Sequence, residues 1–266
     1  MQLAVVANEH NDAQVLKKAC KNAHLKGLSV LAAATLAALA STATLAADDI
    51  SGVVIGSSLA EAKAAIAKAN PDYKISSLML TTGQEAGVTA KTDDRMPWTG
   101  TTNAGGPSDE FAALQNESGK VWFIARVQRF DEGGRIKIDA LKAALTEKFG
   151  KPSSTSNMMG LGFNWQYDRN GKQWFGSGVA PCQGGARSSN IPGVSISAPR
   201  SFSPNCGKII SVGASTQSDD MVPHYTVSII DAKSMFDELA AGDAKAEAER
   251  KQKLADEQAR AVKPKI

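Results

Sequence analysis

Hydrophobic positions along this 266-residue chain change period several times, and each change marks an element. Leu59, Ala62, Ile66 and Ala69 recur at helical spacing and form one narrow apolar stripe. Ser58, followed three residues on by Glu61, is a capping box that starts this helix. Asn70-Pro71 stops it. A short apolar strand is read before it at 52–56, and another strand after it at 73–82. Residues 83–108 carry Pro97, Pro107 and several glycines and read as a long irregular stretch. A hairpin is predicted from 109–116 and 120–130 around Glu117-Ser118-Gly119. A second helix is predicted over 136–149, with Ile138, Leu141, Leu145 and Phe149 as its stripe and Gly150 and Pro152 as its stop.

Period two dominates the next part. Phe163, Trp165 and Tyr167 alternate with Asn164 and Gln166, and Val227 and Ile229 alternate with Thr226 and Ser228. Strands are predicted at 162–168, 172–178, 208–217 and 224–231, the first two joined by Arg169-Asn170-Gly171 as a hairpin. A sheet with one apolar and one polar face is antiparallel and covered on one side by helices. The expected class is therefore α+β. The chain closes in a helical pattern over about 232–262, where only Met235, Phe236 and Leu239 offer bulk. Beyond Gly242 it is charged and polar all round, and it lacks the sustained apolar positions of a coiled coil.

Lys63-Ala64-Ala65-Ile66 and Lys142-Ala143-Ala144-Leu145 occupy corresponding helices, each followed by a proline and then strands. Two repeats, 51–130 and 131–231, are one reading; common helix vocabulary is the other. The segment Gly56-Ser-Ser-Leu-Ala-Glu-Ala-Lys-Ala-Ala-Ile66 resembles the start of the helix–strand units in exported β-lactamase-inhibitor-like proteins, a unit shared by small outer-membrane assembly lipoproteins. Leu145-Thr-Glu-Lys-Phe-Gly-Lys-Pro152 resembles the way such helices end, and the chain is similar to exported proteobacterial proteins that open this way. The resemblance covers two helix segments. It implies export, helix-on-sheet units and a non-catalytic binding role, and carries no functional residue across. A lipidation cysteine is missing, and both the 83–108 stretch and the terminal charged helix are extra.

Export is also read directly from residues 17–47. Lys17, Lys18, Lys21 and Lys26 precede an apolar run over 28–40, and small residues follow up to Asp48. These are the three parts of a signal peptide, with cleavage expected after Ala46 or Ala47. The run is about half the ~20 residues of a membrane span. Glu9 and Asp12 make the leading stretch unusual, and a start at Val15 or Leu16 would give a compact basic opening. The expected organisation is a signal at 1–46, an exported domain at 47–241 and a charged tail at 242–266.

Removing the signal changes the charge picture. Lys plus Arg fall from 30 to 26 and Asp plus Glu from 27 to 25, so the remaining 220 residues are almost neutral. That argues against nucleic acid as a partner. Cys182 and Cys206 remain, and an even pair in an exported chain reads as one disulfide, with two buried thiols as the alternative. His224 is the only histidine left, so no metal and no cofactor are expected.

A hydrolase triad lacks its parts, and Gly176-Ser177-Gly178 is not a nucleophile elbow. The acid pairs Asp93-Asp94, Asp109-Glu110, Asp131-Glu132 and Asp219-Asp220 read as solvated turn residues. Asp131-Glu132-Gly133-Gly134 lacks the spaced ligands of a calcium loop. Recognition residues are therefore sought on the long loops: Arg95 and Trp98 in the first, Arg187 and Arg200 between the cysteines. The alternative is that Trp98 folds back onto the core and the arginines are solvated. Trp122, Trp165 and Trp174 fall in strand patterns and read as core. The expected function is a periplasmic or secreted, non-enzymatic binding or inhibitor-like protein whose partner is a protein or envelope component. The alternative is a structural cell-envelope factor acting through the charged terminal helix.

Overall fold

A computed structural model describes residues 48–92, 107–157, 160–176, 178–183, 188–216 and 218–263. The signal region with Ala46 and Ala47, the loop holding Arg95 and Trp98, and Arg187 lie outside the described residues.

In place of one strand at 52–56, β1 (Asp49–Ile50) and β2 (Val53–Val54) form a small hairpin. Ser51 and Gly52 both have positive φ, 52° and 85°, as the tight turn between two twisted strands requires. Helix α1 (Leu59–Ala69) starts at the expected box: Glu61 N–H donates to Ser58 Oγ at 3.3 Å, and Ser58 N–H donates to Glu61 Oε2 at 2.8 Å. Leu59, Ala62 and Ile66 are buried. Strands β3 (Lys74–Met79), β4 (Glu85–Lys91), β5 (Ser108–Gln115) and β6 (Val121–Arg129) follow. The strand β4 lies inside the stretch read as irregular. Its sequence, Glu-Ala-Gly-Val-Thr-Ala-Lys, has little strand propensity, but it pairs on both edges, with β3 and β5. Pairing and burial override propensity here.

A two-residue strand β7 (Ile136–Lys137) delays helix α2 (Ile138–Phe149), whose stripe Leu141, Leu145 and Phe149 is buried. Gly150, at φ 75°, ends it. Then come β8 (Ser154–Ser156), β9 (Leu161–Asp168), β10 (Ser188–Asn190), β11 (Ser197–Pro199), β12 (Cys206–Ser215), β13 (Met221–Val222), β14 (His224–Asp231) and α3 (Ala232–Ala259).

The hairpin expected at 162–178 is only begun. Asp168 N–H donates to Lys172 O and Trp174 N–H to Gln166 O, and beyond Trp174 no further ladder bond forms among the described residues. Further along, the same edge of β9 is taken by β8, which pairs with residues 162–164. Trp174 is consequently half-buried and outside a strand, while Trp165 is fully buried.

Eight strands form one antiparallel sheet in the order β3-β4-β5-β6-β14-β12-β9-β8. Helix α1 and its four strands fill one half; α2 and its four strands fill the other in reverse order, so the halves meet at β6 and β14. The molecule is α+β, with α1 and α2 packed on one face. Ile66, Phe111, Ile124, Phe149, Trp165 and Ile210 are among the residues filling that layer. The expected alternation holds in the second half, where Phe163, Trp165 and Tyr167 are buried and Asn164 and Gln166 are not. It fails in the first half. Residues 121–125 are buried in unbroken succession, because the opposite face is covered as well.

That second cover is the segment between the cysteines. Ile191, Val194, Ile196 and Ala198 lie with Ala112, Phe123, Ala125 and Val127 of the sheet in a separate buried cluster. Ala232 and Met235 at the base of α3 join it. After its first turns α3 leaves the body: residues 239–246 and 248–263 are exposed, and the helix runs through Gly242 to Ala259 without a break. No helix among the described residues is long and apolar enough to cross a membrane.

Candidate functional site, a groove under the disulfide loop

Cys182 and Cys206 are bonded, with Cα atoms 4.6 Å apart and a separation of 24 positions in sequence. The loop they close is anchored twice more. Strands β10 and β11 pair within it, and Ile191 N–H donates to Ile196 O at 2.8 Å. Val194 and Ile196 press on the sheet. Between them Ser195 meets Glu110 of β5: its hydroxyl donates to Oε1 at 2.9 Å and its backbone N–H donates to Oε2. Arg129 of β6 holds the same carboxylate, Nη1 to Oε1 at 2.6 Å, with both side chains nearly buried.

Asp109, the preceding residue, points to the other face, as neighbours in a strand must. There it accepts from Arg126 Nε at 2.9 Å, Arg126 Nη2 at 2.5 Å and the Tyr73 hydroxyl at 2.7 Å. Arg126 also reaches Ser51 Oγ at 2.6 Å. Burial opposes the charge on Arg126, but the Asp109 carboxylate outweighs it and holds the guanidinium above its ordinary range. Burial and then Asp109 push the Tyr73 hydroxyl well up. Asp109 and Glu110 are therefore not the solvated turn pair that the sequence implied. Each is paired to its own arginine, on opposite faces, so they cannot converge on one scissile bond. The missed signal was cross-strand: both arginines lie on β6, directly beside β5.

Where the loop spans the first half of the sheet it leaves a groove of about 500 Å³, within the range of small-molecule sites. One wall is the sheet, with Leu78, Leu114 and Trp122; the other is the loop, with Ile191, Pro192 and Pro199. Gly87 lies between Leu78 and Leu114 in one row, and a Cβ there would come within 2.7 Å of Leu114 Cδ2. Trp122 is fixed edge-on against Phe202 at 5.6 Å.

Among the described residues Arg200 is the only charged one lining the groove. Its side chain is exposed, and no described residue bonds or pairs with it. Of the four residues proposed from sequence, Arg200 is the one among the described residues, and it lines the groove. Leu78, Leu80, Leu114, Trp122 and Ile191 were not foreseen. The period-two apolar set Val194, Ile196 and Ala198 was a readable sign that the loop packs rather than dangles.

His224 opens β14 opposite Arg129, and burial, then that neighbouring charge, hold its pKa below the ordinary 6.5. Among the described residues no three His, Cys, Asp or Glu side chains gather as metal ligands. No protein-family model matches the chain, and neither a curated protein nor a solved structure matches it.

Proposed function

We propose that the chain is an exported, non-enzymatic binding protein that works in the periplasm or outside the cell, with the groove between sheet and disulfide loop as its recognition site. The observation that carries this reading is the built groove itself. A covalent clamp, a buried carboxylate latch and a paired hairpin hold one wall over an otherwise ordinary sheet. Such support is more than a connecting loop needs, and binding residues are commonly displayed on loops that a rigid scaffold positions.

Affinity capture from an envelope extract tests it. Wild-type protein is expected to retain a partner that Leu80→Asp does not, since Leu80 lines the groove from the turn after β3. Equal recovery by both, with Leu80→Asp folded by circular dichroism, would end the assignment.

A second reading rests on α3. A continuous 28-residue helix that is almost wholly exposed after Leu239 is suited to contact a wall or membrane surface. Deletion of residues 242–266 would then move the protein from the envelope to the soluble fraction; an unchanged distribution would remove this role.

A further inference from the structure

We infer that the groove takes an alkyl carboxylate: an unbranched hydrocarbon chain along the apolar trough with its single anionic head at Arg200. This rests on the groove being the binding site. Three observations select the ligand class.

The first is charge. Among the described residues Arg200 is the only charged one lining the groove; it is exposed and has no partner among them. A planar guanidinium presents paired N–H donors whose spacing matches the two oxygens of a carboxylate. The second is the trough behind it. Leu78, Leu80, Leu114, Trp122 and Ile191 contribute side chains that neither donate nor accept along the floor, apart from the ring N–H of Trp122. A chain of methylenes loses nothing there.

The third observation weighs against a peptide. Its buried amides would need partners, since an unpaired amide is costly to bury. Two of the side-chain polar atoms at the groove are already engaged internally: Gln115 Nε2 donates to Glu85 O at 2.7 Å, and Asn190 Oδ1 accepts from Ser197 Oγ at 2.8 Å. An alkylammonium is excluded by the sign of Arg200. A simple inorganic anion would leave the trough unused.

Isothermal titration calorimetry on the full chain, with the disulfide formed, tests this with octanoate, decanoate and dodecanoate below their micellar concentrations. Decanol and decyltrimethylammonium serve as controls. One site is expected. Affinity should rise about fifteenfold for each added pair of methylenes until the trough is full, the fold-change that corresponds to ~0.8 kcal/mol per buried CH2. Decanoate should bind about tenfold more tightly than decanol, the fold-change of one net charged hydrogen bond. Arg200→Gln should bring decanoate down to the decanol level and leave decanol unchanged. Leu80→Asp should abolish both.

Equal binding of acid and alcohol, or acid binding that survives Arg200→Gln, overturns the assignment of Arg200 as the head-group site. Binding of the alkylammonium as tightly as the acid overturns the charge argument. No heat from any alkyl probe overturns the ligand class altogether. The groove as a recognition site is judged separately, by whether partner capture depends on Leu80.

Discussion

Glu110 is the residue whose loss most directly tests how this molecule is held together. Its carboxylate lies in the sheet, 9% exposed, and accepts from the 13% exposed Arg129 and from both donors of Ser195. Glu110→Gln keeps the shape but removes the charge. Arg129 then keeps its bond to Ser108 Oγ at 3.0 Å but faces a neutral amide, and the amide can no longer accept everything the carboxylate did. Removing one member of a buried ion pair costs about 3–5 kcal/mol, because the other charge stays desolvated. For a chain of this size each kcal/mol lowers the melting temperature by roughly 2–4 °C, so a drop of about 10 °C is expected. Urea unfolding followed by circular dichroism would give the free energy. Limited proteolysis under native conditions would show new cleavage at 188–200, since Ser195 is the point where the loop is latched. The double replacement Glu110→Leu with Arg129→Met should be more stable than Glu110→Leu alone, because no unpaired charge remains. A cost below 1 kcal/mol for Glu110→Gln, or a double variant no better than the single one, would refute the latch.

Cys182→Ser with Cys206→Ser should cost about 3.5 kcal/mol by loop-closure entropy for this span and should expose the loop to protease; an unchanged melting temperature would mean packing alone holds it. Truncation after Ala241 should leave the melting temperature within about 2 °C, because the residues removed bury almost nothing; domain melting would show that the tail packs on the body. Phe236→Ala should cost only about 1 kcal/mol, since the ring is half-buried beneath Arg169 rather than enclosed. His224 has a folded-state pKa below its unfolded value, so its contribution is present above pH 6.5 and is lost as the pH falls through the folded value. His224→Gln should flatten the melting-temperature profile on that acid side, and an unchanged slope would assign it to other groups.

What the sequence determined by itself were the features written in local chemistry. The capping box at Ser58, the stripes of α1 and α2, the glycine stop at Gly150, the alternation in β9 and β14 and the exposed charged helix all follow from spacings within a few residues. The cysteine pairing was legible because Cys182 and Cys206 are the only two cysteines after residue 20, which leaves few alternatives. Tertiary structure decided everything that depends on a partner far away in the chain. Glu85–Lys91 is a strand because two neighbours pair with it, not because its residues favour one. Phe175 and Gly176 leave the edge of β9 because β8 occupies its continuation. Asp109 and Glu110 look solvated in sequence and are buried in space, since Arg126 and Arg129 reach them only across a strand pair. The groove is the fullest case. Leu78, Leu114 and Trp122 come from three strands and Ile191 and Arg200 from the disulfide loop, and only the closure of that loop over the sheet gives them a common cavity.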